Sequence, residues 1–208
     1  MNPLPFKSPT SVIISGPSGV GKTSLLIKII KNSERMFEIP PMQIYYFYSI
    51  WQKKFDEIKS NNVIFINSLP NSTDIEGMDS SSHKLIIIDD MQISAMNDPF
   101  IANLFSRDSH HRNITVFLIL QNLYHQGKYS RDIALNAHYL IIFRNPRDQI
   151  QLKTLGRQIG SSMKLMKSYE DATSEKFGYL LIDMSPASNP MYMFRSHILP
   201  SEYTIIYK

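Results

Sequence analysis

Apolar residues arrive in short, dense runs along this chain: SVIIS, QIYYFYS, NVIFI, KLIIIDD, ITVFLIL, HYLIIF and YLLIDM. Each is bounded by turn residues and has the length of a strand. Several are apolar at consecutive positions, the pattern of parallel strands covered on both faces, where in/out alternation is lost. Between them, residues 22–31, 51–59, 99–105, 147–159 and 163–172 carry helical spacing. Strands alternating with helices predict an α/β fold with a mostly parallel central sheet and helices on both faces. Residues 70–82, PNSTDIEGMDSSS, are polar and read as a surface loop before a central strand.

Length refines this picture. The chain has 208 residues, enough for one good core and too few for two ordinary domains, so a single domain over 1–208 is expected. A charged fraction of 19% and an aromatic fraction of 11% exclude a disordered chain. With no cysteine, disulfides and thiolate metal sites are excluded. The apolar runs are too short for a membrane-spanning segment, and MNPLPFKSPT has no apolar core of a signal peptide, so a soluble, intracellular protein is expected. A net charge of +4 permits an anionic partner such as nucleic acid, although nucleotide binding alone accounts for so small an excess.

Residues 16–24 read GPSGVGKTS, which fits G-x-x-x-x-G-K-[ST] between a strand and a helical run. Gly16, Gly19 and Gly21 allow the loop to curl. The backbone N–H groups of Gly16, Pro17, Ser18, Gly19, Val20 and Gly21, proline excepted, can then turn toward phosphate oxygens, with the helix start adding its positive end. Lys22 brings a charge to the β/γ oxygens, Ser24 continues the binding segment, and Thr23 offers a hydroxyl to Mg²⁺. ATP with Mg²⁺ is the expected ligand.

Four apolar residues, Leu85, Ile86, Ile87 and Ile88, predict a buried strand that delivers Asp89 and Asp90 to the edge where open α/β sheets bind ligands. Asp89 is placed to hold the Mg²⁺ shell, and Asp90 to orient or deprotonate the attacking water. The strand ITVFLIL ends at Gln121, an amide suited to sensing the γ-phosphate.

These three elements resemble the FtsK/HerA-type branch of the additional-strand, RecA/FtsK-like P-loop NTPases. Within it, SRDSHHRNITVFLILQNLYHQGKYSRDIALNAHYLIIFRNPRDQIQLKTLGRQI is similar to the genome-packaging ATPases of adintoviruses, Maverick/Polinton elements and, more distantly, poxvirus-type viruses; IYYFYSIWQKKFDEIK also fits. The resemblance runs from about residue 11 to residue 200. It implies a homo-oligomeric ring, a hexamer or pentamer, that drives double-stranded DNA into a preformed capsid and engages a capsid or portal vertex protein. It also implies assembly in the host nucleus or at a cytoplasmic assembly site, with the virion as a further location.

Many such relatives carry Asp-Glu where this chain has Asp89-Asp90, which withdraws the second carboxylate by roughly 1.5 Å. Rings of this branch complete the site with an arginine from a neighbouring subunit. Arg112 ranks first for that role and Arg107 second, with Arg131, Arg144, Arg147 and Arg157 behind them. Lys53, Lys54, Lys128, Lys153, Lys164 and Lys167 form the expected DNA-facing set, contacting the backbone without reading sequence.

Other readings stay open at this level. SGPSGVGKTSLL is very similar to the opening of guanylate kinases, which allows a nucleoside-monophosphate kinase. A nucleotide-holding adaptor without turnover is a third reading. The adjacent His110 and His111 lack the i, i+4 spacing of a helical zinc pair and suit a cap or a partner contact. The aromatic run Tyr45, Tyr46, Phe47, Tyr48 with Trp51 fits core packing better than base stacking.

Overall fold

The computed structural model describes residues 4–59, 62–123, 126–147 and 149–208. Its strands are β1 (Ser11–Ser15), β2 (Gln43–Tyr48), β3 (Val63–Ile66), β4 (Lys84–Asp89), β5 (Ile114–Leu120), β6 (Tyr139–Phe143), β7 (Tyr179–Asp183), β8 (Phe194–Ser196) and β9 (Ile205–Tyr207). They form one sheet in the order β3-β2-β4-β5-β1-β6-β7-β8-β9. Strands β1 to β6 are parallel, so the consecutive apolar runs have the predicted cause. β7, β8 and β9 pair antiparallel and extend one edge. β8 and β9 are three residues each, too short to leave a pattern in the sequence.

The order places β5 between β1 and β4, with Ser15 opposite Leu120 and Ile88 opposite Leu118. Three strand ends from distant parts of the chain therefore open onto one edge of the sheet. All of β1, β4, β5, β6 and β7 is buried.

Alternate residues of the central strands feed two cores. Leu85 and Ile87 pack with Ile14, Phe117 and the apolar face of α1 (Lys22–Lys31). Ile86 and Ile88 pack on the other side with Ile13 and Leu118 and with α5 (Pro99–Asn103), α8 (Gln149–Gln158) and α9 (Ser162–Ala172). This two-sided cover buries the strands that carry the site edge. Among the described residues no helix is long and apolar enough to cross a membrane.

The remaining helices are short: α2 (Ser33–Met36), α3 (Ser72–Glu76), α4 (Gln92–Ala95), α6 (Ser109–His111) and α7 (Ser130–Asn136). The expected helix over 51–59 is a 3₁₀ turn, Lys53–Ile58, and the one over 99–105 passes from α5 into a π-turn, Leu104–Asp108. The polar stretch 70–82 is not all loop. Asn71 accepts hydrogen bonds from the N–H groups of Thr73 and Asp74, and the Asp74 carboxylate accepts the Asn71 N–H at 2.9 Å. That reciprocal cap, with Ile75 buried beneath it, starts α3 despite the polar composition.

Candidate functional site

The segment between β1 and α1 turns on two glycines. A Cβ on Gly16 would lie 2.7 Å from the Phe143 Cβ, so β6 leaves no room for a side chain there. Gly21 caps α1 with φ 106, a conformation that L side chains rarely adopt. No side chain caps the start of α1, which leaves its first N–H groups available to an anion. The loop is tied to the sheet where the Gly16 N–H donates to the Leu120 carbonyl at 3.2 Å.

Lys22 is curled back on its own loop. Its ammonium donates to the Gly16 carbonyl and, at 2.9 Å, to the Pro17 carbonyl. Burial lowers its pKa, and the Asp89 and Asp90 carboxylates pull it back up, so its charge reaches both acids.

Asp89 ends β4 and is 3% exposed. Burial pushes its carboxyl above the usual carboxylate range; the hydrogen bond from Tyr46 and the charge of Lys22 oppose that, and Asp90 adds to it. Tyr46 on neighbouring β2 donates its phenol to Asp89 at 2.7 Å. Asp90 follows with φ 58, and this left-handed step turns its carboxylate out of the strand direction into solvent, where the Ser49 hydroxyl donates at 3.5 Å. The two acids thus face different surroundings although they are adjacent in sequence.

Gln121 follows β5, and its N–H donates to Oε1 of Gln92, the first residue of α4, at 2.7 Å. Gln92 stitches the end of β5 to the turn that follows Asp90. Sequence reasoning missed it, because nothing marks it before β4 and β5 are known to be neighbours.

These strand ends surround a cavity of about 1000 Å³. Ser18, Gly19, Gly21, Lys22, Thr23 and Ser24 line it from the loop. Asp89, Asp90, Gln92 and Gln121 line it from β4 and β5. Gly16, Pro17 and Val20 are not among the residues that line it. A hydroxyl from Thr23 and a carboxylate from Asp89 across a phosphate-sized space are the hard oxygen donors that suit Mg²⁺ bound together with a nucleotide.

Lys54 also lines the cavity, with its ammonium donating to the Ser24 hydroxyl at 2.7 Å. The 3₁₀ turn after β2 places Lys54, one of the expected DNA-facing lysines, over the start of α1. Arg112 is not brought into the cavity. It lies two residues before β5, at the end of that strand away from Gln121, with the roughly 20 Å length of β5 between them, and donates to the Ile75 carbonyl at 3.4 Å. The side chain of His110 lies outside the described residues.

The aromatic run packs inward at its centre and is partly exposed at Trp51. Tyr46 and Phe47 are fully buried, and Trp51 meets Phe55 and Phe65 edge-on. What the sequence did not disclose is that one of these core rings carries the donor to Asp89.

The model of the family described as Poxvirus A32 protein matches residues 5–197. Among solved structures, the genome packaging NTPase B204 from Sulfolobus turreted icosahedral virus 2 in complex with sulfate superposes with TM-score 0.56 at 14% identity, covering 96% of this chain and 96% of that one. Its complex with ATP-gammaS gives 0.55 at 16% identity over 96% and 97%. B204, the DNA-packaging ATPase from Sulfolobus Turreted Icosahedral Virus, gives 0.56 at 16% identity over 100% and 98%. At such identities the likeness is one of fold. No curated protein matches the sequence.

Proposed function

The chain belongs to the Poxvirus A32 protein family, and on that premise we propose that it is an ATP-hydrolysing motor that translocates double-stranded DNA during viral genome packaging. The observation that carries this reading is the convergence of Lys22, Asp89, Asp90 and Gln121 on one cavity at the ends of β1, β4 and β5. B204, with the same fold, is described in complexes with sulfate and ATP-gammaS, which supports a phosphate-binding role for the loop.

In this reading a single P-loop ATPase domain spans 1–208. The loop N–H groups and Lys22 hold the β- and γ-phosphates, with Lys22 leaving the Gly16 and Pro17 carbonyls for the ligand. Thr23 and Asp89 hold Mg²⁺, which supplies charge neutralisation on the phosphoryl oxygens. Gln121 orients a water at the γ-phosphate, and Asp90, exposed and turned out of the strand, receives the proton as the water oxygen bonds to phosphorus and the bond to ADP breaks. Lys54, beside Ser24, adds positive charge from within the same chain. Arg112, remote from its own cavity, is assigned to a neighbour's cavity in a homo-oligomeric ring of five or six subunits. Backbone contacts from the remaining basic side chains hold DNA in the ring, and a capsid or portal vertex protein receives it.

Displacement of a triplex-forming strand from linear duplex DNA tests this. ATP-driven displacement that the slowly hydrolysed ATP-gammaS does not support is expected; phosphate release with no displacement under any condition contradicts the motor.

A further inference from the structure

The cavity extends well past the phosphate loop. Its far wall is built from the connection between α9 and β7 and from the chain after β8, and includes Phe177, Tyr179, His197, Glu202 and Tyr207. None of these has a part in the phosphate chemistry above. The wall's position is informative: β6 and β7 lie on the opposite side of β1 from β5 and β4. A triphosphate whose γ end points to Asp90 therefore has its nucleoside end at this wall.

Phe177 is held there at a cost. Its φ of 67 is left-handed, which is unusual for a bulky residue and points to a constrained site. Instead of burying its ring, the strained backbone leaves it 55% exposed. The ring stands beside the phosphate loop, since a Cβ on Gly21 would come within 3.1 Å of the Phe177 Cδ1. The Lys176 ammonium sits 5.0 Å from the ring centroid, adding charge beside that platform.

The polar groups around it are unevenly engaged. The Tyr179 hydroxyl accepts the Ile198 N–H at 3.1 Å, and the Tyr207 hydroxyl donates to Asp171 at 2.9 Å. Glu202 differs: its Oε2 is shielded and takes no hydrogen bond from the described residues. Turning that carboxylate toward a donor in the cavity breaks no hydrogen bond on that oxygen, and an unpaired shielded carboxylate oxygen gains from such a donor.

We infer that Phe177 and Glu202 form the nucleoside subsite: the base stacks on the exposed Phe177 ring, and Glu202 accepts a hydrogen bond from the ribose 2′-hydroxyl or a base amino group. This rests on the reading of the loop as a triphosphate site.

Calorimetric titration of the full chain with Mg²⁺ separates the two claims, using ATP and inorganic tripolyphosphate as ligands. Phe177→Gly removes the ring and relieves the left-handed strain. It is expected to weaken ATP binding about tenfold or more while leaving tripolyphosphate binding and the melting temperature in place. Glu202→Gln is expected to weaken ATP likewise and tripolyphosphate not at all. In the unsubstituted protein, 2′-deoxyATP loses affinity if the ribose is the donor, and purine-riboside triphosphate loses it if the base amino group is. ATP and tripolyphosphate losing affinity equally in Phe177→Gly, or no loss with either analogue, overturns the subsite. Equal binding of both ligands to Lys22→Ala and the unsubstituted protein overturns the triphosphate reading and the subsite together.

Discussion

The phenolic oxygen of Tyr46 lies 2.7 Å from Oδ2 of Asp89, with Tyr46 fully buried and Asp89 3% exposed. A carboxylate in that setting keeps one orientation, because the donor is fixed in a packed core between Phe55 and Phe65. Partners of this kind that orient a metal ligand are commonly worth 10–100-fold in affinity or activity. Tyr46→Phe keeps the ring and removes the donor. Its expected effect is an increase of about tenfold in the Mg²⁺ concentration needed for half-maximal ATP hydrolysis, read by magnesium titration at saturating ATP, with little change in melting temperature.

Asp89 itself works against the stability of the nucleotide-free fold. Burial raises its folded pKa above the unfolded value, so the native state holds the proton more tightly than the unfolded chain does. The associated stability is fully present below the unfolded pKa and is lost as pH rises through the raised folded value. At neutral pH the ionised carboxylate is therefore a burden. Asp89→Asn is expected to raise the nucleotide-free melting temperature at pH 7 by about 2–4 °C, the shift that ~1 kcal/mol produces in a chain of this size. The gain shrinks toward pH 4, while hydrolysis is abolished. Thermal melts at the two pH values check it.

Lys54 separates two roles that its sequence position leaves mixed. As a cation beside Ser24, it is expected to support turnover: Lys54→Ala lowers the rate constant of hydrolysis about tenfold and leaves duplex DNA affinity unchanged. Weakened DNA binding with an unchanged rate, measured by anisotropy beside phosphate release, returns Lys54 to the DNA-facing set.

Most of the sheet was legible because parallel strands buried on both faces cannot hide: KLIIIDD and ITVFLIL have few other uses in a chain of this composition. That the glycine-rich loop and the two acids meet at one cavity was legible for a related reason, since the motif fixes residue types at fixed spacing between a strand and a helix. What escaped depends on register across the sheet. Tyr46 touches Asp89 because β2 pairs with β4, and Gln92 meets Gln121 because β5 lies beside β4; neither neighbour relation is written in local pattern. Phe177 lies on the irregular connection between α9 and β7, and Glu202 on the one between β8 and β9, two strands too short to announce themselves. α3 was hidden by composition, being built from Ser, Thr and Asp and held by the Asn71 cap.

One structural interaction lies away from the phosphate-loop end of the cavity. Arg195 on β8 and Asp183 on β7 form a salt bridge at 2.9 Å, with side chains 3% and 5% exposed. Burial lowers the Arg195 pKa, and Asp183 opposes that. Removing one member strands the other charge in the core. Arg195→Met is therefore expected to cost about 3–5 kcal/mol in urea unfolding, and with it the antiparallel edge that supports the far wall of the cavity.

The most direct measurement is steady-state phosphate release from ATP with Mg²⁺, with and without long linear duplex DNA, for the unsubstituted chain, Lys22→Ala and Asp90→Asn. DNA-stimulated release in the first, abolished in both variants, is the predicted result. Phosphate transfer to a nucleoside monophosphate without free phosphate, or tight ATP binding with no turnover in the presence of DNA, would contradict it.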